Sequence, residues 1–155
     1  MTILGIDPGT RRIGYGVIKK LPGKLGFVSA GLLKIKGGDD FSALKETRRQ
    51  IEGIIGKFKP EILAIEKLYF MRNQKTGIQV AQARGVILLS ALEKGLKILE
   101  YAPNEIKAGI TGYGFADKKA VLKMVKLILG KSDLDIVDDA SDALAVAILA
   151  SQKGR

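Results

Sequence analysis

The sequence predicts a mixed α/β protein built on a five-stranded sheet flanked by helices. Two patterns lead to that class. Three strand-like runs follow one another at the amino end with only turns between them, and helical and strand periodicities then alternate towards the carboxyl end. A third pattern bears on chemistry, because two of the buried-looking strands stop at an acid, Asp7 and Glu66.

Thr2 to Ile6 is a run of β-branched and apolar residues, the pattern of a strand buried on both faces. Pro8-Gly9-Thr10 supplies turn chemistry directly after Asp7, which puts the carboxylate at a strand tip. Open α/β sheets bind ligands at such tips, although an Asp there also serves simply to open an Asx turn. Ile13–Lys20 and Gly26–Ile35 read as two further strands joined by the Leu21-Pro22-Gly23-Lys24 turn, an antiparallel meander. After the Gly37-Gly38-Asp39-Asp40 break, Phe41, Leu44, Ile51, Ile54, Ile55 and Phe58 recur at helical spacing until Lys59-Pro60.

Ile62–Ile65 is the next buried strand, ended by Glu66. A crossover through a helix makes it parallel to the first strand, with both acids on one edge of the sheet. Asn73 to Glu93 reads as a helix that is apolar nearly all round, through Ile78, Val80, Ala81, Ala83, Val86, Ile87, Leu88, Leu89, Ala91 and Leu92. A sheet uses one face of such a helix, and the second face needs another cover. Leu96–Leu99 is a fifth strand, Pro103–Ile110 a short helix and Thr111-Gly112-Tyr113-Gly114 a flexible loop. Asp117 caps a helix marked by Ala120, Val121, Met124, Val125, Ile128 and Leu129, and a last helix runs from about Asp138 to Ser151.

The 155 residues suit one domain, spanning 1–155, with a core that needs no disulfide. Cysteine and histidine are both absent, which excludes thiol chemistry and every triad that depends on imidazole. Carboxylates, lysines or an oxygen-bound metal remain. No signal peptide or membrane span is apparent, so a cytoplasmic protein is expected. The net charge of +10 points to a polyanionic partner such as nucleic acid. A basic protein that gathers acids where phosphate approaches is reconciled by metal cations.

The last helix supplies more acids. Asp139 and Asp142 are three apart and share one face of its first turn, while Ala143, Ala147 and Ala150 let it approach the sheet closely. Capping a helix start accounts for Asp138, but less well for a second acid. Four carboxylates from two strand tips and one helix start make an oxygen-lined site suited to magnesium ions and phosphodiester hydrolysis.

Gly5-Ile6-Asp7-Pro8-Gly9-Thr10, Ala64-Ile65-Glu66, Gln82-Ala83-Arg84-Gly85, Thr111-Gly112-Tyr113-Gly114 with Lys118, and Asp139-Ala140-Ser141-Asp142-Ala143-Leu144-Ala145 follow in this order. With these motifs the chain resembles, over essentially its whole length, the RuvC family of bacterial Holliday-junction resolvases. The resemblance implies a ribonuclease-H-like fold and a metal-dependent endonuclease that cuts four-way DNA junctions in pairs, leaving 5′-phosphate and 3′-hydroxyl ends. It places the family's acidic tetrad on Asp7, Glu66, Asp139 and Asp142, holding two Mg2+ ions per site, with Mn2+ as a substitute. Some members have histidine where this chain has Asp139. Lys107 and Lys118 match lysines near the scissile phosphate. Tyr69 matches an aromatic that stacks on an unpaired base, with Phe70, Arg72 and Asn73 as neighbouring DNA contacts; anchoring in the core is the plainer role for the two aromatics. Lys119, Lys123 and Lys126 read as a solvated helix face. Implied partners are junction DNA, a second copy of the chain covering the spare face of the Asn73–Glu93 helix, and branch-migration helicase proteins. The competing readings are a related nuclease acting on other branched nucleic acid and a junction-binding module without catalysis. An actin-like ATPase fragment is a third, shorter of residues than two domains require.

Overall fold

In the computed structural model, which describes residues 1–69 and 74–153, the amino-terminal meander forms as its turns predict. β1 (Thr2–Asp7), β2 (Arg12–Leu21) and β3 (Lys24–Lys34) are antiparallel neighbours. Pro22-Gly23 closes the second hairpin between the paired Leu21 and Lys24, and Gly23 takes the left-handed φ of 73° that favours glycine. α1 (Asp40–Phe58) crosses to β4 (Ile62–Glu66), which lies parallel to β1. α2 (Gln74–Glu93) crosses to β5 (Lys97–Tyr101), parallel to β4, and α3 (Pro103–Thr111), α4 (Lys118–Leu129) and α5 (Asp138–Lys153) follow. The strand order is β3-β2-β1-β4-β5.

Two cores sandwich the sheet. Leu4, Ile6, Ile13, Leu63 and Ile65 face α1 and α2 with Ile51, Ile55, Ile87 and Ala91. Ile3, Ile18, Ile62 and Ala64 face the other three helices with Ile106, Val125, Leu144 and Ile148. Among the described residues, no helix is long and apolar enough to cross a membrane.

Several predicted boundaries move, each for a local reason. Asp7 is itself paired, opposite Gly14, as the last residue of β1. Leu96 belongs to the turn after α2, where its amide bonds the Ala91 carbonyl, so β5 starts one residue later and runs on to Tyr101 beside Glu66. Asp39 caps α1 through the Ser42 amide, and the buried stripe of that helix begins at Ala43 and Thr47, leaving Phe41 on the surface. Asp138 does not cap α5. It is the first helical residue, and the Val137 carbonyl accepts the first bonds, from the Ala140 and Ser141 amides. Asp117 caps α4 as predicted, 2.8 Å from the Ala120 amide.

α5 is the centre of its layer, and every residue from Ala143 to Ser151 is buried. It comes so close because the sheet beneath it has no side chains there. A Cβ on Gly5 would stand 1.9 Å from the Ala143 carbonyl oxygen, one on Gly14 would stand 2.0 Å from the Asp139 carbonyl oxygen, and one on Gly16 would meet Leu144 at 2.7 Å. Gly5 and Gly16 are also partners across β1 and β2. Gly5→Ala is therefore expected to destabilise the fold by about 1–3 kcal/mol or more through overpacking. Gly53→Ala on α1, where the added methyl meets open space, should raise stability by about 0.4–1 kcal/mol. Urea unfolding of the two variants checks the pair of opposite signs.

Candidate active site

Asp7 and Glu66 reach the same place by strand arithmetic. The described β1–β4 register pairs Gly5 with Ala64 and Ile6 with Ile65, so the two acids are the next residues on neighbouring parallel strands. Alternation along each strand puts Asp7 on the face of Ile3, and Glu66 on that of Ile62 and Ala64, the face covered by α5. α5 brings its first turn to the same edge. The Asp139 carbonyl lies over Gly14, the partner of Asp7, and Ala143, next to Asp142, lies over Gly5.

The electrostatics record this convergence. Burial, followed by the charges of Asp142, Asp139 and Glu66, pushes the Asp7 carboxyl up to about 7, with only Lys118 opposing. Glu66 is raised by burial and by Asp142, against Lys107. Asp142 is raised by burial, with Lys118 pulling it down and Asp138 and Asp139 adding to the rise. Lys118 Nζ stands 3.8 Å from both Asp138 and Asp142, and Arg12 Nε donates to Asp139 Oδ2 at 3.2 Å.

Among the described residues no three acids close on a single point as they do around a bound ion. Two of them are instead drawn to cations of the protein, Asp139 to Arg12 and Asp142 to Lys118. The donor set is all oxygen and carries more negative charge than its lysines offset, which suits a hard divalent cation once those ion pairs yield.

Tyr69 lies exposed just after β4, where the Lys67 amide bonds the Tyr101 carbonyl, so it is not a core anchor. Phe70, Arg72 and Asn73 lie outside the described residues. Lys107, on α3, acts on both Glu66 and Asp142.

Two arginines escaped the sequence reading. Arg12 is one, and the only signal was its place directly after the Asp7 turn. Arg84 is the other, although the Gln82-Ala83-Arg84-Gly85 motif contains it. Largely buried on α2, it donates from Nε to the backbone carbonyl of Glu66 at 3.3 Å and pairs through Nη2 with Glu100 of β5. It thus ties α2 to the tip of the strand that carries Glu66.

The family model described as "Crossover junction endodeoxyribonuclease RuvC" matches residues 3–150. The chain belongs to this family. Proteins of the same name from Fusobacterium nucleatum and Natranaerobius thermophilus are similar to it. The first is 44% identical over 149 residues, covering 96% of this chain and 78% of that one; the second is 40% identical over 156 residues, covering 100% and 97%. Among solved structures, Thermus thermophilus RuvC superposes with a TM-score of 0.85 at 29% identity, covering 96% of this chain and 92% of that one. T. thermophilus RuvC in complex with Holliday junction substrate gives a TM-score of 0.87 at 25% identity, over 99% and 97%. The mixed sheet with flanking helices is therefore the ribonuclease-H-like fold of a nuclease family.

Arg84 generates an expectation specific to this site. Arg84→Ala should slow metal-dependent nuclease turnover on the order of ten- to a hundred-fold by releasing the Glu66 main chain, because sub-ångström misplacement is amplified in rate. Arg84→Lys should recover only part, since an ammonium cannot reproduce the two-pronged contact. An alanine variant as fast as the parent would show that Glu66 is held without it.

Proposed function

We propose that this chain resolves four-way DNA junctions by metal-assisted hydrolysis, with Asp7, Glu66, Asp139 and Asp142 as the ligands of two Mg2+ ions and Mn2+ as a substitute. The observation that carries the reading is the meeting of four acids from β1, β4 and the amino-terminal end of α5, with the Asp7 carboxyl pushed up to about 7. The comparisons support it: the family is one of endonucleases, and a relative has been solved on a Holliday junction.

Magnesium ions held by these acids would supply a water of lowered pKa and offset the charge that builds on the phosphate. Asp7, which feels the charge of each of the other three acids, would hold the ions together with Glu66, Asp139 and Asp142. Lys107 and Lys118 neutralise the phosphate from the α3 and α4 side. Tyr69 offers its ring to an unpaired base at the crossover. Branch-migration helicase proteins of the same pathway are the further partners of the reading, and the cytoplasm its setting.

α2 supports a homodimer. Ala83, Ile87 and Ala91 are its buried face, whereas Ile78, Leu89 and Leu92 are 63%, 51% and 60% exposed, and Gly77 and Gly85 border open space. α5 cannot cover that outer face, because it belongs to the core on the opposite side of the sheet. Ile87 is fully buried against the sheet and unsuited to test the point. An isologous pairing of α2 with its symmetry mate matches two sites to the two strands of a two-fold symmetric junction.

Asp7→Asn is expected to abolish junction cleavage in magnesium while retaining or tightening binding, since a carboxylate that repels phosphate is gone. Cleavage by this variant at the parent rate would sink the assignment. Incubation with junction, fork and RNA–DNA hybrid substrates separates junction resolution from the broader nuclease reading. Leu89→Glu with Leu92→Glu should give folded monomers that nick junctions without pairing the cuts. Light scattering that finds the parent monomeric even on junction DNA would remove the dimer.

A further inference from the structure

The loop between α3 and α4 presents two aromatic rings to solvent. Tyr113 is 62% and Phe115 82% exposed, and their rings touch, with centroids 5.8 Å apart and planes tilted by 59°. The loop is braced. Thr111 Oγ1 donates to the Lys107 carbonyl at 2.8 Å and accepts from the Tyr113 amide at 3.1 Å; the Ala116 amide bonds the Tyr113 carbonyl, and the Ala116 side chain is buried. Gly112 makes the turn with a left-handed φ of 80°, and Asp117 caps the next helix. The rings are therefore held outward by a hydrogen-bonded scaffold.

Their surroundings say what they face. The loop runs directly into Lys118 and follows the helix that carries Lys107; these are the two lysines whose charges act on Asp142, and Phe115 stands three residues before Lys118. Lys119 and Lys123 extend the positive charge along exposed positions of α4. A ligand that satisfies both features must carry negative charge at close intervals and offer flat apolar faces between the charges. Aromatic rings interleaved with lysines form the stacking platform used for single-stranded or unpaired nucleic acid.

We propose that Tyr113 and Phe115 form a second base-stacking platform, which holds unpaired nucleotides of the DNA strand where it runs out of the acid site past Lys118. The platform is separate from Tyr69, which follows β4, and lies on the loop between α3 and α4. The inference rests on the junction-DNA reading and adds a contact to it.

The sequence contains no tryptophan, so a single introduced indole reports on this loop alone. Phe115→Trp, at a position exposed enough to accept the larger ring, is placed in the Asp7→Asn background to prevent cleavage, with Tyr113→Trp as the companion. Each is titrated with a synthetic four-way junction while anisotropy of a label on the DNA follows binding. Stacking predicts quenched indole emission in at least one variant, saturating with the anisotropy curve. The double variant Tyr113→Ala/Phe115→Ala should weaken junction binding roughly ten-fold, as the loss of one stacked base does. Flat emission from both indoles while the junction binds, with unchanged affinity of the double alanine variant, overturns the platform alone and leaves the rings for a protein partner. Failure of the junction to bind at all overturns the platform together with the junction reading.

Discussion

Four carboxylates at one end of a sheet repel one another, and holding them there is the constraint to which the rest of this fold answers. The repulsion is visible in the Asp7 carboxyl, pushed up to about 7 by burial and by three like charges. A side chain in that position does not stay because it is comfortable. It stays because β1 is locked between β2 and β4, because the β4 tip is tied through Arg84, and because α5 is buried along most of its length. The hydrophobic layers on both faces of the sheet supply the free energy that offsets an electrostatic arrangement unfavourable by itself.

The positive charge of the chain is distributed to the same end. Arg12 sits at the start of β2, Lys107 on α3 and Lys118 at the first residue of α4, each arriving from a different element. Arg12 pairs with Asp139, Lys107 acts on both Glu66 and Asp142, and Lys118 stands equally far from Asp138 and Asp142. A protein with ten excess positive charges can therefore present an acidic pocket inside a basic rim. That combination draws a polyanion in and then requires cations to admit its phosphate.

The sequence made most of this legible. Short apolar runs bounded by turns marked the strands, and period-3.6 patterns marked the longer helices, because the buried faces here are nearly pure Ile, Leu, Val and Ala. The acids were legible because each ends a strand or lies near the start of a helix. What stayed hidden were contacts that depend on tertiary placement. Arg84 belonged to a noted motif, but nothing along the chain says that its guanidinium reaches the Glu66 carbonyl eighteen residues away. α2 is apolar nearly all round in sequence, and periodicity cannot say that Ile87 meets the sheet while Leu89 faces outward. Asp138 looked like a cap because an acid at a helix start usually is one; the Val137 carbonyl took the bonds one residue earlier.

Gly5 and Gly14 have a meaning beyond close packing. They make the contact between α5 and the sheet one of main chain against main chain, with the carbonyls of Asp139 and Ala143 resting where side chains would otherwise stand. The strand acids and the helix acids are thus spaced by a hard ruler with no rotamers in it. Substitutions elsewhere in the two cores can drift in size and shape without retuning that spacing, whereas any side chain at these two positions would jack the acids apart while leaving each of them chemically intact. A variant of this kind would register in an activity screen as a lost catalyst and in a sequence comparison as an untouched one.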